Sequence, residues 1–134
     1  MKHVIFLIFL FLNLNAFSQS FKITSVKTSK KHKFQEMNQR LLNKSIKTVF
    51  NDGTVTVTLA GENKTLTLIQ NRNNNNTYSF TSTKDDMMET YSIKFNKTMG
   101  VISSLIFHYY KEYKNKTGLI PILEEHNEIA ASRF

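Results

Sequence analysis

The chain has 134 residues, a formal net charge of +8, and neither cysteine nor tryptophan. That length fits one domain. The lack of cysteine excludes disulfides, thiolate nucleophiles, thiolate metal sites and a lipidated N-terminal cysteine, so the fold must rest on its own apolar core.

The chain starts with the charged stretch Met1-Lys2-His3 and an unbroken apolar run from Val4 to Leu12. Ala16 and Ser18 stand three and one residues before a cut that would leave Gln19 first. This is the three-part layout of a secretory signal peptide. The apolar run is less than half of the roughly 20 residues that a membrane-spanning helix needs. Residues 1–18 are therefore expected to be removed. The product is exported, periplasmic or secreted, with no transmembrane helix left.

Between Phe21 and Phe50 there are eight basic residues against one acid, Glu36. Lys30, Lys31 and Lys33 lie at its centre and are the candidate anion- or partner-binding residues. The bland reading is a solvated lysine face. Phe21–Thr28 offers a strand through Phe21 and Ile23. Phe34, Met37, Leu41 and Leu42 fall near helical spacing, which fits a short helix within 33–44. The competing reading is an irregular basic connection.

From Ser45 onward the chain alternates strand and turn. Asn51-Asp52-Gly53 is a hairpin signal, because Asp and Gly tolerate positive φ. Thr54–Leu59 then places Val55, Val57 and Leu59 on one face and threonines on the other. Thr65–Ile69, Thr77–Thr83, Glu89–Phe95 and Val101–Tyr113 follow, separated by polar turns. Short connections make neighbours in sequence neighbours in the sheet. The expected fold is mainly β: an antiparallel meander of six to eight strands, a curled sheet or small barrel, spanning 19–116. Val101–Tyr113 is apolar on both faces and should be central or covered. Pro121–Ser132 looks helical, with proline suited to a first turn and Glu124 and Glu125 near the positive end of the dipole. A C-terminal helical tail, 117–134, is expected to pack on the β domain.

The chemical motifs are few. His32, His108 and His126 have no two-histidine metal spacing. His108 reads as a half-buried strand histidine and His126 as part of a solvated helix face. Asp85, Asp86 and Glu89 lack the ligand spacing of a calcium loop and suit turn chemistry. There is no G-x-S-x-G and no glycine-rich phosphate loop. Neither metal nor cofactor is expected, and an enzyme is the disfavoured reading. Asn-x-Ser/Thr acceptors occur at Asn43, Asn63, Asn75, Asn96 and Asn115, and read as turns. The aromatic residues Tyr78, Phe80, Tyr91, Phe95, Phe107, Tyr109, Tyr110 and Tyr113 come from three consecutive strands. Such a set either fills a core or lines a cavity with hydroxyl handles. Tyr78, Tyr91, Phe107 and Tyr109 are the candidate ligand-binding residues.

The cut site Ala16-Phe17-Ser18-Gln19, the hairpin Ile46–Phe50/Asn51-Asp52-Gly53/Thr54–Leu59 and the ending Tyr91–Phe95/Asn96–Gly100/Val101–Tyr113 resemble the short exported, lipocalin-like proteins of Bacteroidota. The resemblance covers most of the chain after residue 18. It implies an all-β fold. No lipocalin G-x-W motif is present, and no functional residues carry over. The expected function is an exported, non-catalytic β domain that binds a small apolar or amphipathic ligand. The alternative is an interaction module that docks an anionic envelope component or protein through residues 22–47. Export argues against a nucleic-acid partner.

Overall fold

Asp52 and Gly53 both take positive φ, 35° and 78°, and so do Met99 and Gly100, at 54° and 79°. These are two-residue hairpin turns whose twist matches the strands they join. In the computed structural model, which describes residues 17–59, 65–113 and 122–134, such turns help to link eight strands. They are β1 (Phe17–Thr28), β2 (Ser45–Asn51), β3 (Thr54–Leu59), β4 (Thr65–Gln70), β5 (Thr77–Lys84), β6 (Met87–Thr98), β7 (Val101–Tyr113) and β8 (Ile122–Arg133). Each pairs antiparallel with its neighbour in sequence, and β8 pairs back onto β1 to close a barrel. The expected mainly β meander is therefore present, at the eight-strand end of its range.

Inward and outward positions alternate as an antiparallel wall requires. Phe21, Ile23, Ile46, Val55, Val57 and Leu68 are inside and fully or almost fully buried. Lys22, Lys47 and Lys94 alternate with them and are exposed. This is the reverse of a lipid-embedded barrel, where the outside is the apolar side. An eight-stranded barrel has an interior just wide enough for packed side chains or one small ligand.

Among the described residues one α-helix interrupts the strands, between β1 and β2. A 3-10 turn at Lys31–Lys33 leads into α1 (Phe34–Leu41). Met37 and Leu41 are buried on its inner side, while Phe34 is exposed. Asn43 ends it in the left-handed conformation, with φ of 67°, a role that Asn fills when Gly is absent. The Asn43 amide then donates to the Ile23 carbonyl on β1 at 3.0 Å. The helix thus lies across one end of the barrel, against β1.

Three expectations need correction. The C-terminal segment is a strand, β8, not a helix. Glu125, Asn127, Ile129 and Ala131 lie on one face of an extended chain, and β8 supplies the ladder partner for β1 and for β7. Two open edges in need of hydrogen bonds outweigh the local helix-start signals. Among the described residues no helix covers β7 either. It is flanked by β6 and β8, and its outward residues Ile106, His108 and Tyr110 are half-buried. Phe80, expected inside, is 43% exposed. The reason is the ladder between β4 and β5, which consists of two pairs, Ile69↔Ser79 and Gln70↔Tyr78. Beyond Ser79 the two strands part.

The first sixteen residues lie outside those described, so the expected leader is not placed. Phe17 and Ser18 extend β1, opposite Phe50 and Val49. A cut after Ser18 would shorten β1 by these two residues.

Candidate ligand cavity

The inward rows of β6, β7 and β8 change character along the barrel. Starting far from the helix, Phe95, Leu105 and Ala131 lie side by side across the three strands. The next row is Ile93, Phe107 and Ile129, then Tyr91, Tyr109 and Asn127, then Glu89, Lys111 and Glu125. The wall thus runs from purely apolar to aromatic with polar tips to fully charged within four rows. The charged row is at the end that α1 crosses.

Beneath α1 this gradient borders a cavity of about 270 Å³. Met37 and Leu41 come down from the helix, Val57 and Leu59 from β3, and Leu66 from β4. Tyr91, Phe107, Tyr109 and Ile129 form the opposite wall, with Arg40, Glu89 and Asn127 as its polar members. The body of the cavity is apolar, and the polar groups gather on one side, as in small-molecule sites generally.

The polar groups hold one another in place. The Tyr91 hydroxyl donates to Glu89 Oε2 at 3.2 Å, and Tyr109 also hydrogen-bonds Glu89. The two tyrosine rings lie 5.1 Å apart. Burial first, then the neighbouring Glu89 charge, pushes the Tyr109 phenol far above its usual range. It stays protonated and able to donate. Asn127 Nδ2 donates to Glu125 Oε2 at 2.8 Å, and Lys33 Nζ donates to Glu125 Oε1 at 2.8 Å. Burial alone would raise the Glu125 carboxyl, but these hydrogen bonds and the charges of Lys33 and Lys111 hold it below the ordinary range.

Of the four candidate ligand-binding residues, the fold brings Tyr91, Phe107 and Tyr109 together around this cavity. Tyr78 is at the other end of the barrel. There it meets Phe50 and Phe95 edge-on, at 5.9 and 5.8 Å between ring centres, while Phe50 and Phe95 lie 4.9 Å apart. This aromatic plug leaves a smaller space of about 150 Å³. Burial raises the Tyr78 phenol as well.

The candidate anion-binding lysines are partly engaged. Lys30 pairs with Glu124 at 3.2 Å and Lys33 with Glu125 at 2.8 Å, while Lys31 is exposed in the 3-10 turn. Lys27 approaches Glu128 at 3.8 Å. The basic stretch around β1 therefore faces the acidic start of β8, which the sequence reading had set apart as a helix.

Sequence reasoning missed Arg40, Glu89, Glu125 and Asn127 as a group. The usable signal was parity: 125, 127, 129 and 131 alternate like a strand, which puts Asn127 on the same face as Ile129. The histidines also meet, on the outer surface. His108 Nδ1 and His126 Nε2 are 3.1 Å apart across β7 and β8, and Tyr110 stacks on His126 with ring centres 4.3 Å apart. Among the described residues, no group of three or more histidine or acidic side chains is arranged to hold a metal ion. Comparison with protein-family models, with curated proteins and with solved structures found no match to this chain.

Proposed function

We propose that this protein is a non-catalytic carrier or receptor whose barrel takes up a small amphipathic molecule beneath α1. The observation that carries this reading is the graded wall. A cavity of about 270 Å³ has an apolar floor and one polar side, in a fold whose interior suits one small ligand. That volume equals roughly nine water molecules at about 30 Å³ each. It falls just under the roughly 300–1,000 Å³ of pockets for drug-sized ligands, so the ligand is small. Tyr91 and Tyr109 are engaged with Glu89, and the Asn127 amide nitrogen with Glu125, rather than arranged as nucleophile and base.

Titration calorimetry with medium-chain alkyl compounds tests the reading. Binding should be one to one, and Val57→Phe, which fills the floor, should abolish it while the barrel stays folded. Unchanged binding by that variant would overturn the assignment of the cavity.

The apolar run from Val4 to Leu12 and the Ala-x-Ser site support export with Gln19 as the first residue. Mass spectrometry of the extracytoplasmic protein checks this, and a product that keeps residues 1–17 would refute it. The alternative, docking of an anionic partner through residues 22–47, is weakened by the pairing of Lys30 and Lys33 with Glu124 and Glu125.

A further inference from the structure

The outer wall of the barrel carries a second cluster, apart from the cavity. His108 on β7 pairs across the ladder with Glu128 on β8, and Tyr110 pairs with His126. The two histidines are therefore diagonal neighbours on the outward face, where long side chains still meet. His108 Nδ1 and His126 Nε2 stand 3.1 Å apart. The Tyr110 ring lies nearly parallel to both imidazoles, 4.3 Å from His126 and 5.7 Å from His108 between centres. The backbone of His126 is clamped as well. Its N–H donates to Ser29 Oγ, and its carbonyl accepts from the Ser29 N–H, both at 2.9 Å. Two imidazole nitrogens are thus brought to one point of the β7–β8 ladder, and the His108 side chain is 25% exposed there.

Two nitrogens bound to one ion at about 2.0–2.1 Å are about 3.3 Å apart in a tetrahedral site and about 2.9 Å apart in a square-planar one. The observed separation lies between these values. An ion fits once both rings pivot to turn their lone pairs from each other onto it. The proton that bridges the pair then leaves the gap for the other nitrogen of its own ring. On His108 that nitrogen is Nε2, 3.9 Å from Glu128 Oε1. A carboxylate behind a ligating imidazole fixes its tautomer and strengthens it as a ligand. Imidazole suits copper, nickel and zinc, whereas calcium and magnesium call for several oxygens.

We propose that His108 and His126 form a surface site for one divalent transition-metal ion, with Glu128 as the outer partner of His108 and water in the remaining positions. Copper should bind more tightly than nickel or zinc. The site is independent of the cavity and of any ligand held there.

Zinc chloride added to the intact protein tests this by NMR of the imidazole rings and by calorimetry. The ring signals of His108 and His126 should shift together at one equivalent, while those of His32 stay in place. Calcium and magnesium should move none of them. Glu128→Gln should weaken zinc binding by about tenfold, the lower range for loss of such an outer partner. His108→Gln and His126→Gln should each weaken it further, because each removes a ligand, and the double variant should abolish the one-equivalent event. The ring shifts of the unsubstituted protein decide the matter even if a variant fails to fold. No shift of the pair, or a shift of His32 as large as theirs, would overturn the site. So would zinc binding that survives the double substitution, which would mean an adventitious ion only.

Discussion

Lys33 Nζ lies 2.8 Å from Glu125 Oε1, so the turn that opens α1 is tied to the start of β8, 92 residues away in sequence. The same Glu125 holds Asn127 through its second oxygen. One carboxylate therefore links the cover of the cavity to its polar wall.

The pair makes stability depend on pH at both extremes. The hydrogen bond and charge of Glu125 hold the Lys33 ammonium above its usual pKa, and Glu125 is held below its own. A depressed carboxyl stabilises the fold above its unfolded value of 4.5, and this is lost as pH falls through the folded value. A raised ammonium stabilises below 10.5, and this is lost as pH rises through its folded value. Glu125→Gln should lower unfolding free energy at pH 7 by roughly 1 kcal/mol, the upper range for a pair that water reaches from one side. It should also flatten the acid limb below pH 4.5. Denaturant titrations at pH 3, 5 and 7 check this.

The lysines should not be equivalent. Changing Lys30, Lys31 and Lys33 together to glutamine should lower the melting temperature, because Lys30 and Lys33 bridge to β8. Lys31→Gln alone should leave it unchanged. Thermal scans of the single and triple variants decide the matter. An equal effect would mean that the ion pairs contribute nothing.

His108 gives a second pH response, near neutrality. Burial lowers its pKa, the charge of His126 lowers it further, and Glu128, 3.9 Å away, pulls in the opposite direction. A histidine depressed in the folded state stabilises above its unfolded value of about 6.5 and loses that contribution as pH falls through the folded value. The protein should therefore melt lower at pH 5 than at pH 7.5, and His108→Gln should reduce that difference. Histidine-resolved NMR titration should place His108 below the free imidazole.

Phe107 and Thr56 report on the two faces of the wall. Phe107 is buried in the third row from the end that α1 crosses, against Tyr91. Phe107→Ala should cost about 3–5 kcal/mol, as for other buried phenylalanines. Thr56, on the outward face of β3 opposite Thr67, should cost no more than about 0.5 kcal/mol as alanine. Chemical denaturation measures both.

Much of this architecture is legible locally. Asp52-Gly53 and the alternation of Thr54–Leu59 specify a hairpin without reference to the rest of the chain. Met37 and Leu41 mark the buried side of α1 by spacing alone. β8 was illegible for a non-local reason. Pro121, Glu124 and Glu125 match a helix start, and only the unmet edges of β1 and β7 draw the segment into the ladder. That misreading hid Asn127, since a residue's face depends on the period of its element. Tyr91, Phe107 and Tyr109 were legible as cavity residues because they share the apolar face of adjacent strands. Tyr78 shares that face too, but which end of a barrel a residue occupies is a matter of register, and register is fixed by pairing across strands.

The two-pair ladder between β4 and β5 bears on traffic through the wall. Every other seam of the barrel has at least five pairs. The β4–β5 pairs lie at the aromatic-plug end, so the unpaired stretch is at the cavity end, beside Leu66 and the exposed Phe80. Segments with few shared hydrogen bonds open at the smallest free-energy cost. If the cavity takes a guest, this seam and not the cover formed by α1 is the part of the wall that opens first, and residence time would follow its breathing.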